Sequence, residues 1–198
     1  MSRVSCPGCG REYDTALFAF GRTIHCTCGT RVGAEPAAPA ADVAGAEPRF
    51  LADAMLGRLA RWLRLLGFDT AYDAAIADAD LARRAFEEGR TVLTRDRALP
   101  DEWRLPRVLV LRSETPGEQL RELARVFPLR RAARLFSRCS RCNAPLEEVA
   151  AEAVAARVPA RVLARRPLFH RCRGCGRVYW AGSHVERIRR ALDRIWSD

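Results

Sequence analysis

Twelve residues of this chain have types and spacings that could do chemistry: eight cysteines in four close pairs, and four aspartates where apolar runs stop. Cys139 and Cys142 in "CSRC" and Cys172 and Cys175 in "CRGCG" form two Cys-x-x-Cys knuckles with 29 residues between them. Each knuckle can present two thiolates at the roughly 2.3 Å that zinc requires, and two knuckles complete a closed tetrahedral site that supports folding, not catalysis. Near the start, Cys6 and Cys9 in "CPGC" and Cys26 and Cys28 in "CTC" repeat the theme, with His25 beside the second pair as a substitute ligand. One or two structural Zn²⁺ ions are expected. The alternative is disulfides, which a reducing compartment disfavours.

The aspartates offer a different chemistry. Asp53 ends "RFLAD", Asp78 and Asp80 open "DADLARRAFEEG", and Asp96 ends "TVLTRD". Taken singly, Asp53 and Asp78 read as helix N-caps, and Asp96 as a turn residue paired with Arg95 or Arg97, a surface pair worth little. Taken together they read otherwise. Strand ends and helix starts of a parallel sheet converge on one edge, and carboxylates gathered there repel one another unless a cation sits among them. Hard oxygens with retained waters suit Mg²⁺ or Mn²⁺. Asp101, Glu102 and Glu114 lie farther along, and the pattern singles out none of them as a further ligand. The chain has no Ser/His/Asp set, no P-loop and no Gly-x-Gly-x-x-Gly, so its α/β part works with carboxylates.

The elements that must position these groups follow from periodicity. "RFLAD" predicts a short strand; Leu56, Leu59, Leu63 and Leu66 then recur at helical spacing up to Gly67. "FDTAY", "RTVLT" and "RVLVLR" read as further strands, "DADLARRAFEEG" and "TPGEQLRELARVF" as helices, the last with Thr115 as its cap. This alternation predicts an α/β domain over 49–135 with a mainly parallel sheet flanked by helices. A zinc-ribbon-like module over 1–33 and an Ala/Pro linker over 34–48 precede it; a zinc ribbon with a terminal helix, over 136–198, follows. Tyr179 and Trp180 read as ribbon core and His184 as a structural hydrogen-bonding residue. Arg58, Arg61 and Arg64 line one flank of the first helix, a solvated face that could also follow a phosphate backbone.

Charge narrows the partners. All 34 basic residues are arginine, against 24 acids, for a net charge of +10. Residues 136–198 are the most basic part, with 13 arginines against six acids. A polyanion is the natural partner, although a GC-rich genome would also favour arginine over lysine. "MSRVSCPGCG" contains no apolar leader region, and no run approaches the roughly 18 apolar residues of a membrane span. The expectation is a cytoplasmic protein with no membrane partner.

"FLADAMLGRLARWLRLLGFDT", "EEGRTVLTRDRAL", "RCSRCN" and "YWAGSH" resemble the Mut7-C RNase domain, a branch of the PIN-like nucleases with its own C-terminal zinc ribbon; the likeness spans about residues 49–185. The resemblance implies a PIN-like fold and metal-dependent hydrolysis of RNA that leaves a 5′-phosphate and a 3′-hydroxyl. It places Asp53, an acid at Asp78 or Asp80, and Asp96 on the family's acidic positions. The expected partner is RNA, structured RNA or the ribosome included. A catalytically inactive RNA- or ribosome-binding zinc-ribbon protein and a DNA nuclease are the alternatives, the latter because no residue identifies a contact to the 2′-hydroxyl. The N-terminal cysteine module lies outside the resemblance.

Overall fold

The computed structural model describes residues 3–33, 47–165 and 168–197, without the side chains of Ser183 and His184. The linker reading of 34–48 falls almost wholly outside these residues, as does the role read for His184. In chain order the elements are β1 (Arg3–Ser5), β2 (Glu12–Asp14), β3 (Ile24–His25), β4 (Arg31–Val32), β5 (Phe50–Ala52), α1 (Gly57–Leu65), β6 (Thr70–Tyr72), α2 (Asp78–Glu88), β7 (Thr91–Thr94), α3 (Leu99–Glu102) and β8 (Val108–Val110). They continue with α4 (Pro116–Val126), α5 (Leu129–Ala132), β9 (Leu146–Val149), α6 (Ala160–Leu163), β10 (Phe169–Cys172), β11 (Val178–Trp180) and α7 (Ser183–Trp196). Short 3₁₀ turns occur at Thr15–Gly21, Ala54–Leu56 and Ala151–Arg157.

Packing divides the chain into two compact units, Met1–Gly57 with Ala71–Arg112, and Arg58–Thr70 with Ser113–Asp198. The first unit contains the expected α/β sheet, in strand order β6-β5-β7-β8, with β5–β7 and β7–β8 parallel. Every residue of β5 and β7 is buried, as in parallel sheets covered on both faces, and no charged residue interrupts either strand. Leu51 and Val92 pack with Leu81, Ala82 and Ala85 of α2 and with Leu99 and Trp103 at α3. Each fully buried leucine of this kind contributes about 1.5–3 kcal/mol. Gly89, in the left-handed region at φ 60°, closes α2 and turns the chain directly into β7.

The same unit contains the N-terminal module, two antiparallel hairpins, β1–β2 and β3–β4, around Cys6, Phe18, Cys26 and Val32. Tyr13 meets Phe18 edge-to-face, with centroids 6.4 Å apart. A core this small does not hold a fold without a metal or another staple.

In the second unit β11-β10-β9 form an antiparallel sheet over Val154, Val158 and Phe169. Leu59, Leu63 and Leu66 are buried as the helical spacing requires, and Thr115 caps α4 by accepting the Glu118 N–H. The arginine flank of α1 departs from expectation. Arg58 and Arg61 are solvent-accessible, but Arg64 is buried, with Nε donating to the Thr70 carbonyl at 2.8 Å and Nη1 to the Arg141 carbonyl at 2.7 Å. Arg64 is therefore a structural residue and not part of a solvated flank. Its hydrogen bonds to two carbonyl acceptors make the burial of a cation tolerable.

Candidate functional site

Because β5 and β7 are parallel neighbours in register, with Ala52 opposite Leu93, their C-terminal ends emerge side by side. Asp53 leaves β5 with its N–H still donating to the Leu93 carbonyl at 2.9 Å, and the ladder on the other side continues as Leu111 N–H donating to Thr94 O at 2.8 Å. The buried Asp53 carboxylate accepts on both oxygens: Oδ1 from the Ala54 N–H at 2.5 Å and Oδ2 from the Thr94 hydroxyl at 2.6 Å. Thr94 itself is completely buried, and its hydroxyl also accepts the Asp96 N–H at 2.9 Å. One hydroxyl thus ties the ends of two strands together.

Asp96 is half-buried and its Oδ1 accepts the Ala98 N–H at 2.8 Å, closing an Asx turn. The carboxylate is thus engaged by the backbone of its own turn. Asp53 caps the 3₁₀ turn Ala54–Leu56 as its cap reading expects, whereas Asp78 departs from the cap reading. Ala77 occupies the N-cap of α2 without a side-chain bond, and Asp78 is the first helical residue. Partial desolvation, followed by the charges of Asp53 and Asp96, raises its carboxyl above the ordinary aspartate value. Asp78 and Asp80 are both exposed, and Asp80 pairs with Arg83 at 3.1 Å. The two acids of "DAD" thus differ in what acts on them: the charges of Asp53 and Asp96 reach Asp78, and Asp80 pairs with Arg83. Asp101 is occupied elsewhere, its Oδ1 paired with Arg31 at 2.9 Å.

The cysteines form two tight groups. Cys6, Cys9, Cys26 and Cys28 gather in one, Cys139, Cys142, Cys172 and Cys175 in the other, all sulfurs of a group within 4.8 Å of each other. Among the described residues no carboxylate or histidine joins such a group, so four thiols complete each one without His25. Cys6 and Cys28 sulfurs are 3.6 Å apart and Cys9 and Cys26 sulfurs 3.5 Å; in the second group the spacings are 3.7 Å for Cys139–Cys175 and 3.3 Å for Cys142–Cys172. A disulfide would bring the sulfurs to about 2.05 Å, whereas a tetrahedral ion at about 2.3 Å from each sulfur separates them by about 3.8 Å. Both groups can therefore hold zinc.

Local backbone N–H groups support the sulfurs of the second group. Gly174 and Cys175 N–H groups donate to the Cys172 sulfur at 3.3 and 3.4 Å, the Cys142 N–H to the Cys139 sulfur at 3.5 Å. Burial opposes ionisation of Cys139, but the Tyr179 hydroxyl at 3.0 Å and backbone donors outweigh it and lower the thiol to about 6. Tyr179 thus supports the Cys139 thiol, while Trp180 packs on the ribbon core. Asn143 leaves its knuckle in the left-handed region at φ 70°, and its amide accepts the Thr70 N–H at 3.0 Å while donating to Asp69 at 2.7 Å.

Thr94 is the residue that sequence reasoning missed. Its signal was a threonine at the last position of a buried strand, two residues before the acid, where an apolar side chain would otherwise be expected.

Among known proteins, a family model described as the Mut7-C RNAse domain matches residues 48–192. No curated protein and no solved structure matches the chain.

Proposed function

Because the chain belongs to the Mut7-C RNAse domain family, we propose that it hydrolyses RNA phosphodiester bonds at a divalent-cation centre held by Asp53, Asp78 and Asp96. One observation carries the reading. Partial desolvation, then the charges of Asp53 and Asp96, make Asp78 harder to ionise, so both other carboxylates lie within electrostatic reach of it. Mutual repulsion of this kind is relieved by a cation from outside the chain. The donor set, all carboxylate oxygen, fits a hard ion that keeps part of its water shell. Mg²⁺ or Mn²⁺ bound there supplies Lewis-acid activation of water and neutralises charge on the phosphate.

The protein's own contribution is to hold the acids. The Ala54 N–H and the Thr94 hydroxyl occupy one lone pair on each Asp53 oxygen, which fixes the rotamer and leaves the outer lone pairs for a cation. The Ala98 N–H does the same for one oxygen of Asp96. Asp80 takes no part. Arg58 and Arg61 attract the RNA backbone by charge alone, so affinity falls as salt rises. Zn²⁺ fills both cysteine sites and stabilises the modules that contain them. Residues 49–135 then act as the nuclease core.

Cleavage of single-stranded RNA and DNA, compared in Mg²⁺, Mn²⁺ and EDTA for the wild type and Asp96→Asn, tests the proposal. RNA cleavage that needs both the ion and Asp96 is expected. Binding of RNA without cleavage in either ion would assign the chain to the RNA-binding modules, and cleavage confined to DNA would change its substrate.

A further inference from the structure

The N-terminal cysteine module grips four consecutive residues that follow Asp96. Thr23 donates its N–H to the Glu102 carbonyl at 2.7 Å and its hydroxyl to the Asp101 carbonyl at 2.6 Å. Arg104 donates its N–H to the Gly21 carbonyl at 2.7 Å, and the Arg31–Asp101 pair closes at 2.9 Å. Arg22, bridged to Trp103 as an antiparallel β-pair, holds its guanidinium 5.9 Å from the centre of the indole. Gly21 makes the approach possible: it sits at φ 78°, and a Cβ there would meet the Arg104 carbonyl oxygen at 2.6 Å.

These contacts act on an element that cannot hold itself. Helix α3 has four residues, Leu99–Glu102, far below the length at which a helix is stable alone. It is anchored inward by Leu99 and Trp103 in the core and outward by the module at 101–104. Asp96 is separated from α3 by two residues, and its carboxylate accepts a backbone N–H from one of them, Ala98.

We propose that the N-terminal cysteine module is a positioning element for Asp96: Thr23 and Arg31 fix α3, and α3 fixes the turn that aims the carboxylate. The proposal rests on the reading of Asp96 as a cation-holding acid. It gives the module, which lies outside the matched family region, a role in the reaction through another residue, and it assigns Asp101 to the grip and not to the cation. A cation centre assembled on this edge then depends on a metal site elsewhere in the same unit.

The full-length double variant Thr23→Val/Arg31→Ala tests it. This variant removes two side-chain grips and keeps both backbone bonds, and its zinc content and near-ultraviolet circular dichroism report that the module is intact. Three quantities are compared with the wild type: amide hydrogen exchange over 96–104, the Mn²⁺ dissociation constant from the electron paramagnetic resonance signal of free Mn²⁺, and kcat and KM on RNA. Faster exchange over 96–104, Mn²⁺ bound about ten-fold more weakly and a fall confined mainly to kcat are expected, with Thr23→Ser/Arg31→Lys restoring all three. Exchange that is unchanged overturns the proposal, and so does faster exchange with unaltered Mn²⁺ binding. Should the double variant not fold, Arg31→Ala alone carries the same three measurements under the same criteria. A wild type that binds no Mn²⁺ removes the nuclease reading itself, an outcome distinct from any failure seen only in the variant.

Discussion

Thr94 and Asp53, 41 residues apart in the chain, share a 2.6 Å hydrogen bond inside the protein. The same hydroxyl accepts the N–H of Asp96 at 2.9 Å, so one buried oxygen sets the relative position of two of the three acids. Thr94→Val, close in shape, leaves an acceptor and a backbone donor unmatched. A cost of about 1–3 kcal/mol in urea unfolding is expected, together with a decrease of about 10–100-fold in cation affinity or cleavage. Thr94→Ser, which keeps the hydroxyl, should recover most of both; equal damage from Val and Ser would mean that the methyl group matters and the hydrogen bonds do not.

Asp78 and Asp80 are separated by one residue and face different surroundings. Asp78 is repelled by Asp53 and Asp96, whereas Asp80 is committed to Arg83. Cleavage by Asp78→Asn should fall by about two orders of magnitude, since a ligand to the cation is removed, while Asp80→Asn should stay within about two-fold of wild type, an exposed pair being worth little. Assays of both variants side by side in Mn²⁺ decide it, and a reversed ranking would exchange their roles.

The raised pKa of Asp78 makes a pH-dependent prediction whose sign can be worked out. In the folded, cation-free protein this carboxyl holds its proton more tightly than in the unfolded chain, so ionising it costs stability. The cost is fully present above the raised value, shrinks as pH falls through it, and is gone below the ordinary aspartate value of about 3.9. In EDTA, therefore, Asp78→Asn should melt above wild type at pH 7, with the gap narrowing as the solution is acidified. Added Mn²⁺ should close the gap by raising the wild type alone, which calorimetry across the pH range reads directly.

What the sequence made legible was local. A Cys-x-x-Cys knuckle is complete within four residues, and the buried strands and helices announce themselves by period, so the parallel sheet and both cysteine groups follow from composition and spacing. The choice between Asp78 and Asp80 was not legible, because it depends on which side of a helix's first turn meets acids from β5 and the β7 turn. Thr94 offered only the signal of a threonine at the end of a buried strand, since its role exists only when β5 lies alongside. The grip of Thr23 on Asp101 crosses 78 residues and a segment without pattern. In each case the missing information was a long-range interaction, which no local period encodes.

Arg64 illustrates the same limit and gives the last test. By spacing it belongs with Arg58 and Arg61, yet it lies inside the second unit with two carbonyls, those of Thr70 and Arg141, as acceptors. Replacing it with Gln takes the charged donor away from both carbonyls in a buried setting, at an expected cost of about 2–4 kcal/mol. RNA affinity per folded molecule should not change, because the guanidinium is not at the surface. The double variant Arg58→Gln/Arg61→Gln should do the opposite: unfolding in urea stays within about 0.5 kcal/mol of wild type, while the slope of log affinity against log salt becomes shallower by about one unit for each phosphate that these arginines neutralise in the wild type. Fluorescence titrations of labelled RNA at several salt concentrations, set beside urea melts of the same three proteins, separate the two effects. If Arg64→Gln flattened the salt slope without lowering stability, the helix flank would be a single phosphate-binding face after all.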